Sequence, residues 1–197
     1  MTEPMTLTDQ ARAATRHLTS WAGMTLHRLG VHPDTLTIAG LGVVAAAALV
    51  IAQGQMQLGG LILALGLPLD ALDGAVARAR GRPNPFGGVL DSTLDRYADA
   101  FIFGGLSYHF AVHNRLDMLL LCYAALVGAF GVSYVRARAG EAGLSVKIGL
   151  FDRLVRVVVI VAALLLPPLL EWALLLLAAG TNATALRRLW YVHRHIR

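Results

Sequence analysis

Charged residues are scarce in this sequence of 197 residues. Asp, Glu, Lys and Arg make up 15% of it, hydrophobic residues make up 56%, and the mean hydropathy is +0.61. The apolar residues come in long runs without an amphipathic period, which is typical of membrane spans. The composition therefore leaves little room for a soluble domain and predicts one integral membrane domain.

Three other features are rare or absent in the sequence, and each one excludes a class of structure or partner. The single cysteine, Cys122, cannot form an internal disulfide. No short apolar segment with a cleavage site follows the first residues, so we expect no removable signal peptide. The net charge is +5, but no soluble basic region with interleaved aromatic residues is present, so we predict no nucleic-acid partner.

Four carboxylates stand out against this apolar background. Asp70, Asp73, Asp91 and Asp95 lie within or beside segments long enough to cross a bilayer. An ionised carboxylate at membrane depth costs about 2.5–3.5 kcal/mol on insertion scales. The aspartates therefore need compensating partners, and divalent cations would supply them. The alternative is that they form buried structural ion pairs.

The spacing of the aspartates predicts how they come together. On helices, Asp70 and Asp73 are i,i+3 and Asp91 and Asp95 are i,i+4, so each pair occupies one helix face. Between the pairs lies GRPNPFGG, which a continuous helix does not tolerate. The two helices can fold back as a hairpin that gathers four carboxylates. Such hard oxygen ligands suit two Mg²⁺ or Mn²⁺ ions, a common arrangement for phosphoryl chemistry.

The whole motif reads Asp70-x2-Asp73-Gly74-x2-Ala77-Arg78-x8-Gly87-x3-Asp91-x3-Asp95. This pattern resembles the signature of the CDP-alcohol phosphotransferases, a family of integral membrane enzymes of phospholipid biosynthesis. The resemblance implies that an acceptor hydroxyl attacks the β-phosphate of a CDP-linked lipid such as CDP-diacylglycerol and that CMP leaves. It also implies that Asp70, Asp73 and Asp91 are the main metal ligands, and that Asp95 is the general base and also touches a metal.

Other residues of the motif are expected at the CDP-lipid. Gly74 and Gly87 allow close approach of the backbone to the nucleotide or of one helix to another. Arg78 offers a fork of donors to a phosphate or the cytidine, or else is a topology anchor. The family places a Pro-Asn-x-aliphatic-Thr stretch at the first span, and this chain has Asp34 in place of Asn. The predicted donor-binding residues are Pro33, Thr37, Asp73, Gly74, Ala77, Arg78 and Gly87.

The acceptor is predicted from a second basic region. The stretch SYVRARAGEAG, followed by Asp152 and Arg153, resembles the phosphatidylinositol-phosphate synthases and their archaeal relatives. The resemblance implies a small phosphorylated polyol as acceptor, inositol 3-phosphate first and glycerol 3-phosphate as the alternative. Its phosphate would be bound by Ser133, Arg136, Arg153 and a C-terminal arginine, Arg187 or Arg188, with Arg187 preferred. The alternative is that these cations only anchor the topology.

The predicted fold is all-α and integral to the membrane, with six transmembrane helices and an N-terminal amphipathic juxtamembrane helix. Residues 1–32 form the interfacial segment, and residues 33–197 form the membrane domain. From Asp9 to Leu29 the residues alone allow an amphipathic helix or a frayed terminal helix, and the family resemblance implies the amphipathic helix. Pro33 starts the first span, with Asp34 or Thr35 as its cap. The expected spans are Leu36–Gln53, Leu58–Ala79, Gly88–Val112, Leu116–Val135, Leu154–Leu170 and Trp172–Leu189.

Charge placement gives the orientation. With both termini in the cytoplasm, all of the 17 Lys and Arg except Arg115 fall on the cytoplasmic side. The predicted location is the cell membrane, with the active site facing the cytoplasm. The family resemblance implies a homodimer.

Asp99 extends the Asp91–Asp95 face by one turn, either as a support for the site or as a polar helix contact.

A divalent-cation transporter is the alternative from another functional class, because aspartates buried in a membrane also mark ion pathways. The glycines, alanine and arginine of the motif argue against it, since an ion pathway does not need them.

Overall fold

The structure is a computed structural model, and it describes residues 20–81 and 84–196, with the side chain of Asp70 excepted. Within these residues the chain is almost wholly helical and contains no strand. The helices are α1 (20–28), α2 (Pro33–Ala52), α3 (Met56–Ala79), α4 (Pro85–Val112), α5 (Leu116–Glu141), α6 (Arg153–Leu165) and α7 (Leu170–His195), with a 3₁₀ turn at Pro167–Leu169.

Helix starts follow local sequence signals. Pro33 and Pro85 occupy the first positions of α2 and α4, where a missing N–H costs nothing. The cap of α2 is His32, whose ring accepts from the Asp34 amide. The prediction that Asp34 or Thr35 would be the cap was wrong, because a proline at the first helical position moves the cap to the residue before it.

Four helical segments are long and apolar enough to cross a membrane within the described residues. They are Pro33–Ala52, Met56–Ala79, Leu116–Glu141 and Pro167–His195. Helix α4 is long but carries Asp95, Arg96 and Asp99. Helix α6 has 13 residues, which at about 1.5 Å per residue is shorter than the ~30 Å hydrocarbon core of a bilayer. The six-span topology therefore stays a prediction.

The predicted N-terminal amphipathic helix lies mostly outside the described residues. Of it, residues 20–28 are helical, and Trp21 is exposed. A Cβ added at Gly23 would lie 2.7 Å from Ala75, so α1 packs closely against α3 at that point.

Helix α2 brings the two aspartate-bearing helices together. It packs extensively on both α3 and α4, whereas α3 and α4 make little direct backbone contact with each other. The two helices of the expected hairpin, α3 and α4, are therefore not closely packed on each other, because α2 contacts both of them. At the α2–α4 crossing, a Cβ added at Gly105 would lie 2.5 Å from the Ala48 carbonyl oxygen, so only glycine allows this approach.

The remaining helices complete the core. Helix α5 packs on α4 and most extensively on α7, and α6 packs on α3 and α7. The fully buried side chains at the centre include Ile51, Leu106, Leu164, Leu174 and Leu177. Cys122 is also fully buried, as expected for an inert packing residue.

Candidate active site

Asp73 is the buried carboxylate of α3, with 7% of its surface exposed. Its Oδ2 accepts a hydrogen bond of 2.8 Å from Thr37 Oγ1 on α2, and its Oδ1 accepts from the Gly74 amide. Thr37 Oγ1 also lies 3.2 Å from the Pro33 carbonyl oxygen. Thr37 therefore has both a helix-start contact and a direct contact with a predicted metal ligand.

Asn84 caps the start of α4. Its side-chain oxygen accepts from the Gly87 amide at 3.0 Å, and its Nδ2 donates to Asp34 Oδ1 at 3.2 Å. A Cβ added at Gly87 would lie 2.5 Å from Asn84 Nδ2, so a larger residue at this position would displace the Asn84 side chain. Sequence reasoning missed Asn84, although an Asn before a proline at a helix start is a cap signal.

Arg78 lies along its own helix. The side chain is exposed, and a Cβ added at Gly74 would lie 3.3 Å from Arg78 Nη1. The guanidinium therefore lies over Gly74, beside Asp73. Ala77 is half-buried on the same turn. The Arg78 guanidinium and the small residues Gly74 and Ala77 therefore lie together at the end of α3 that is predicted to face the cytoplasm.

Asp91 and Asp95 lie one turn apart on α4 and are both half-buried. Asp95 Oδ1 lies 2.7 Å from Arg153 Nη1 at the start of α6, and Asp95 Oδ2 lies 3.3 Å from Arg96 Nη2. The side chains of Asp95 and Arg153 are 13% and 29% exposed. The predicted general base is thus in direct contact with a cation predicted to bind the acceptor.

The other predicted acceptor residues lie on α5 and α7. Ser133 Oγ donates to the Ala129 carbonyl of its own helix at 3.1 Å. Arg136 is exposed and lines an open cavity of about 350 Å³ with Gly140, Gly143, Leu144, Ser145 and Val146. Arg187 is exposed on α7. Among these four residues, the structure gives a direct contact with a predicted metal ligand only for Arg153.

Arg188, the neighbour of Arg187, is buried, with 3% of its surface exposed. Its Nε donates to the Ile148 carbonyl at 2.8 Å and its Nη1 to the Val132 carbonyl at 2.9 Å. Arg136, Asp152 and Arg156 are close enough to interact electrostatically with the Arg188 guanidinium. The helical period could have distinguished the two arginines, because Thr181, Thr184 and Arg188 share the buried face of α7.

Asp99 has a partner that the sequence did not indicate. Its Oδ2 lies 2.7 Å from Arg156 Nη2, and the two side chains are 5% and 2% exposed. This contact joins α4 to α6 one turn beyond the Asp95–Arg153 contact. Asp99 therefore makes a polar contact between helices, and its partner is an arginine of α6.

The donor chemistry of the aspartates fits Mg²⁺ or Mn²⁺, since both ions prefer carboxylate oxygens. Asp73 presents its carboxylate from α3, and Asp91 and Asp95 present theirs from α4. The side chain of Asp70 lies outside the description. Among the described residues, no three His, Cys, Asp or Glu side chains lie close enough together to hold a metal ion.

A family model and known proteins match this chain over most of its length. The model for CDP-alcohol phosphatidyltransferases matches residues 30–184. The archaetidylinositol phosphate synthase of Pyrococcus horikoshii is 43% identical over 139 residues, which cover 70% of this chain and 71% of that protein.

The structural comparison agrees with this. The crystal structure of Mycobacterium tuberculosis phosphatidylinositol phosphate synthase with CDP-DAG bound has a TM-score of 0.83 and 32% identity, covering 89% of this chain and 94% of that chain. A crystal structure of the same enzyme with manganese and citrate has the same TM-score and identity and covers 88% of its chain. The matched region contains the whole aspartate motif, and the predicted family is confirmed. The chain belongs to the CDP-alcohol phosphatidyltransferase family of enzymes.

Proposed function

We propose that this enzyme makes a phosphatidylinositol phosphate in phospholipid biosynthesis. The donor is CDP-diacylglycerol or a related CDP-lipid, and the acceptor is inositol 3-phosphate. The acceptor oxygen forms a new bond to the β-phosphorus of the donor, and the bond from that phosphorus to the oxygen of CMP breaks. CMP leaves with the electron pair of that bond, and the proton of the acceptor hydroxyl goes to Asp95.

The observation that carries this proposal is the 2.7 Å contact between Asp95 and Arg153. It places the carboxylate predicted to take the proton beside a cation predicted to bind the acceptor's phosphate. A bound acceptor whose phosphate meets Arg153 would present its hydroxyl groups near Asp95. Holding acceptor and base together in this way makes attack effectively intramolecular.

We assign the metal to Asp70, Asp73, Asp91 and Asp95, which would hold two Mg²⁺ or Mn²⁺ ions. Support comes from the oxygen chemistry of the four residues and from the manganese in the Mycobacterium tuberculosis enzyme. When bound, the ions neutralise diphosphate charge and make CMP a better leaving group. Thr37 orients the carboxylate of Asp73 through the bond between their side chains.

The CDP-lipid would lie between the starts of α2 and α4 and the end of α3. Pro33 and Thr37 lie on α2, Gly87 lies beside the Asn84–Asp34 contact, and Arg78 covers Gly74. The donor site then comprises Pro33, Thr37, Asp73, Gly74, Ala77, Arg78 and Gly87. The solved relative with CDP-DAG bound supports a donor of this class.

The acceptor site would use Arg136, Ser133 and Arg153, with Arg187 at its rim. Arg188 lies near Arg136 and donates to the Ile148 carbonyl of the 144–152 segment. Two relatives are named as synthases of inositol phosphate lipids, which favours inositol 3-phosphate over glycerol 3-phosphate. No described feature favours the alternative acceptor.

We further propose six spans, with α4 and α6 as the third and fifth, both termini in the cytoplasm and a homodimer in the cell membrane. The positive-inside distribution supports this orientation. Arg115, the cation left outside, donates to Asp117 at 3.0 and 2.9 Å and to Glu171 at 2.8 Å. These bonds raise the pKa of Arg115 and keep it charged, while two carboxylates offset that charge.

The test is CMP release by detergent-purified protein given CDP-diacylglycerol and Mg²⁺. Inositol 3-phosphate, glycerol 3-phosphate, free inositol and serine are offered separately, with and without a chelator. We expect chelator-sensitive turnover with inositol 3-phosphate, and a loss of about 10²–10⁴-fold in kcat for Asp95→Asn, typical of a general base. Turnover with glycerol 3-phosphate alone would overturn the acceptor. Chelator-resistant turnover would overturn the metal role.

A further inference from the structure

Two ion pairs, one helical turn apart, join α4 to α6. Asp95 contacts Arg153 at 2.7 Å, and Asp99 contacts Arg156 at 2.7 Å. The aspartates are four residues apart on α4 and the arginines three apart on α6, so each set shares one helix face. The proposed function uses the first pair and gives no role to the second.

The second pair is deeply buried, with Arg156 2% and Asp99 5% exposed. Ions lose hydration on burial, and apolar residues of similar volume often serve stability equally well. Arg156 Nε also has no hydrogen-bond partner among the described residues. Stability alone therefore does not account for this pair, and its geometry has to be considered.

Backbone packing does not fix the distance between α4 and α6. Helix α6 packs against α3 and α7, and its backbone contact with α4 is slight at most. Side chains span the gap, and in the Asp99–Arg156 pair, unlike the Asp95–Arg153 pair, both side chains are shielded from solvent. The buried bridge is therefore one of the contacts that set the position of Arg153 relative to Asp95.

Arg156 also holds the chain that leads into α6. Its Nη1 donates to the Phe151 carbonyl at 3.3 Å. The next residue, Asp152, caps α6, and its Oδ1 accepts from the Val155 amide at 3.1 Å. Arg153 lies on the first turn of this helix, so a displacement of Arg156 would move the start of α6 and Arg153 with it.

We propose that Asp99 and Arg156 are positioning residues for the acceptor site. They hold the Arg153 guanidinium beside Asp95 and touch neither substrate. This inference rests on the proposed function, in which Arg153 binds the phosphate of the acceptor.

Three variants of the full chain test the role. Asp99→Asn keeps the size of the side chain and removes its charge. The double variant Asp99→Leu with Arg156→Met replaces the pair by apolar side chains. The matched control is Asp117→Asn, which removes a carboxylate partner of Arg115 at the start of α5, where both side chains are exposed. For each protein, KM for inositol 3-phosphate, KM for CDP-diacylglycerol, kcat and Tm are measured in detergent.

We expect Asp99→Asn to raise the KM for inositol 3-phosphate about tenfold or more, because small misplacements of binding groups are costly. The KM for CDP-diacylglycerol should stay unchanged, and Asp117→Asn should behave like wild type. The double variant should have the Tm of wild type, whereas its KM for inositol 3-phosphate should stay raised.

Two results would overturn the positioning role. One is an unchanged acceptor KM in Asp99→Asn, and the other is a double variant that recovers both Tm and acceptor KM, as a purely structural pair would. Failure of the proposed function looks different, because wild type itself would then give no turnover with inositol 3-phosphate.

Discussion

Thr37 Oγ1 donates a hydrogen bond of 2.8 Å to Asp73 Oδ2, joining the start of α2 to a buried carboxylate of α3. One carboxylate oxygen of a predicted metal ligand is thereby oriented by a neutral hydroxyl on another helix. Groups behind a metal ligand commonly fix its orientation and affect metal affinity. The contact between Asn84 and Asp34 is of the same kind, since it joins the start of α4 to the start of α2.

Thr37→Val should lower kcat/KM for CDP-diacylglycerol. A hydrogen bond to a charged group contributes about 1.5–3 kcal/mol, which corresponds to roughly a 10–100-fold loss. The matched control is Thr93→Val, because the Thr93 hydroxyl donates to the Val89 carbonyl on an exposed part of α4. Steady-state kinetics with varied donor would measure both. Equal kinetics for the two variants would contradict the role of Thr37.

Gly105→Ala should destabilise the protein, whereas Gly104→Ala should not. A Cβ at Gly105 would meet the Ala48 carbonyl at 2.5 Å, and one at Gly104 would meet nothing within 4 Å. Overpacking costs about 1–3 kcal/mol, while Gly to Ala in an open helical position is favourable by up to about 1 kcal/mol. Tm in detergent should therefore fall for Gly105→Ala and hold or rise for Gly104→Ala. Identical Tm shifts would argue against a close crossing of α2 and α4.

Gly87→Ala should weaken donor use, and Gly88→Ala should not. The new methyl group at Gly87 would lie 2.5 Å from Asn84 Nδ2, whereas at Gly88 it would meet nothing within 4 Å. Displacing Asn84 removes the cap of α4, a loss of about 1 kcal/mol, and shifts its contact with Asp34. The KM for CDP-diacylglycerol should rise only for Gly87→Ala. The same KM in both variants would show that the cap geometry does not affect the donor site.

Arg136→Gln should raise the KM for a phosphorylated acceptor, and Arg138→Gln should not. Both side chains are exposed on α5, but Arg136 lines the cavity whereas Arg138 pairs with Glu141. Loss of one charge-assisted hydrogen bond predicts an increase of about tenfold. Initial rates with varied inositol 3-phosphate would separate the variants. An effect of equal size at both positions would indicate general surface charge in place of a specific site.

Arg188→Met should lower Tm far more than Arg187→Met. Removing the Arg188 guanidinium leaves the buried carbonyl of Val132 and the carbonyl of Ile148 without these donors. Hydrogen bonds from a charged group contribute about 1.5–3 kcal/mol each. Arg187 is exposed, so its replacement should leave Tm nearly unchanged. Thermal unfolding in detergent is the measurement, and a larger Tm loss for Arg187→Met would contradict the assignment.

Sequence patterns predicted much of the helical layout. The predicted ends of the second and third spans, Ala79 and Val112, are the ends of α3 and α4, and a 3₁₀ turn at Pro167–Leu169 lies between α6 and α7. These features are local, since proline, glycine and apolar runs act on the chain where they stand. The aspartate motif was recognised for the same reason, because its residues are close together in sequence.

Pairings between distant helices were harder to predict. Arg156 and Arg153 both precede an apolar run, and nothing local says that one meets Asp99 and the other Asp95. The partnership of Asn84 with Asp34 likewise depends on how α2 packs against α4. Long charged side chains can reach several neighbours, so their partners are decided by tertiary packing.

The shortness of α6 has a consequence for where the two substrates can meet. If α6 is a membrane span and its C-terminal end lies at one boundary, its 13 residues leave Arg153 about 10 Å below the other boundary, at ~1.5 Å per residue in a core of ~30 Å. The non-helical residues 144–152 would enter that depth too. Backbone of this kind is tolerated there only against protein or water. A water-filled cavity at this depth would let a polar acceptor reach the donor lipid, while the acyl chains of the donor stay in the bilayer.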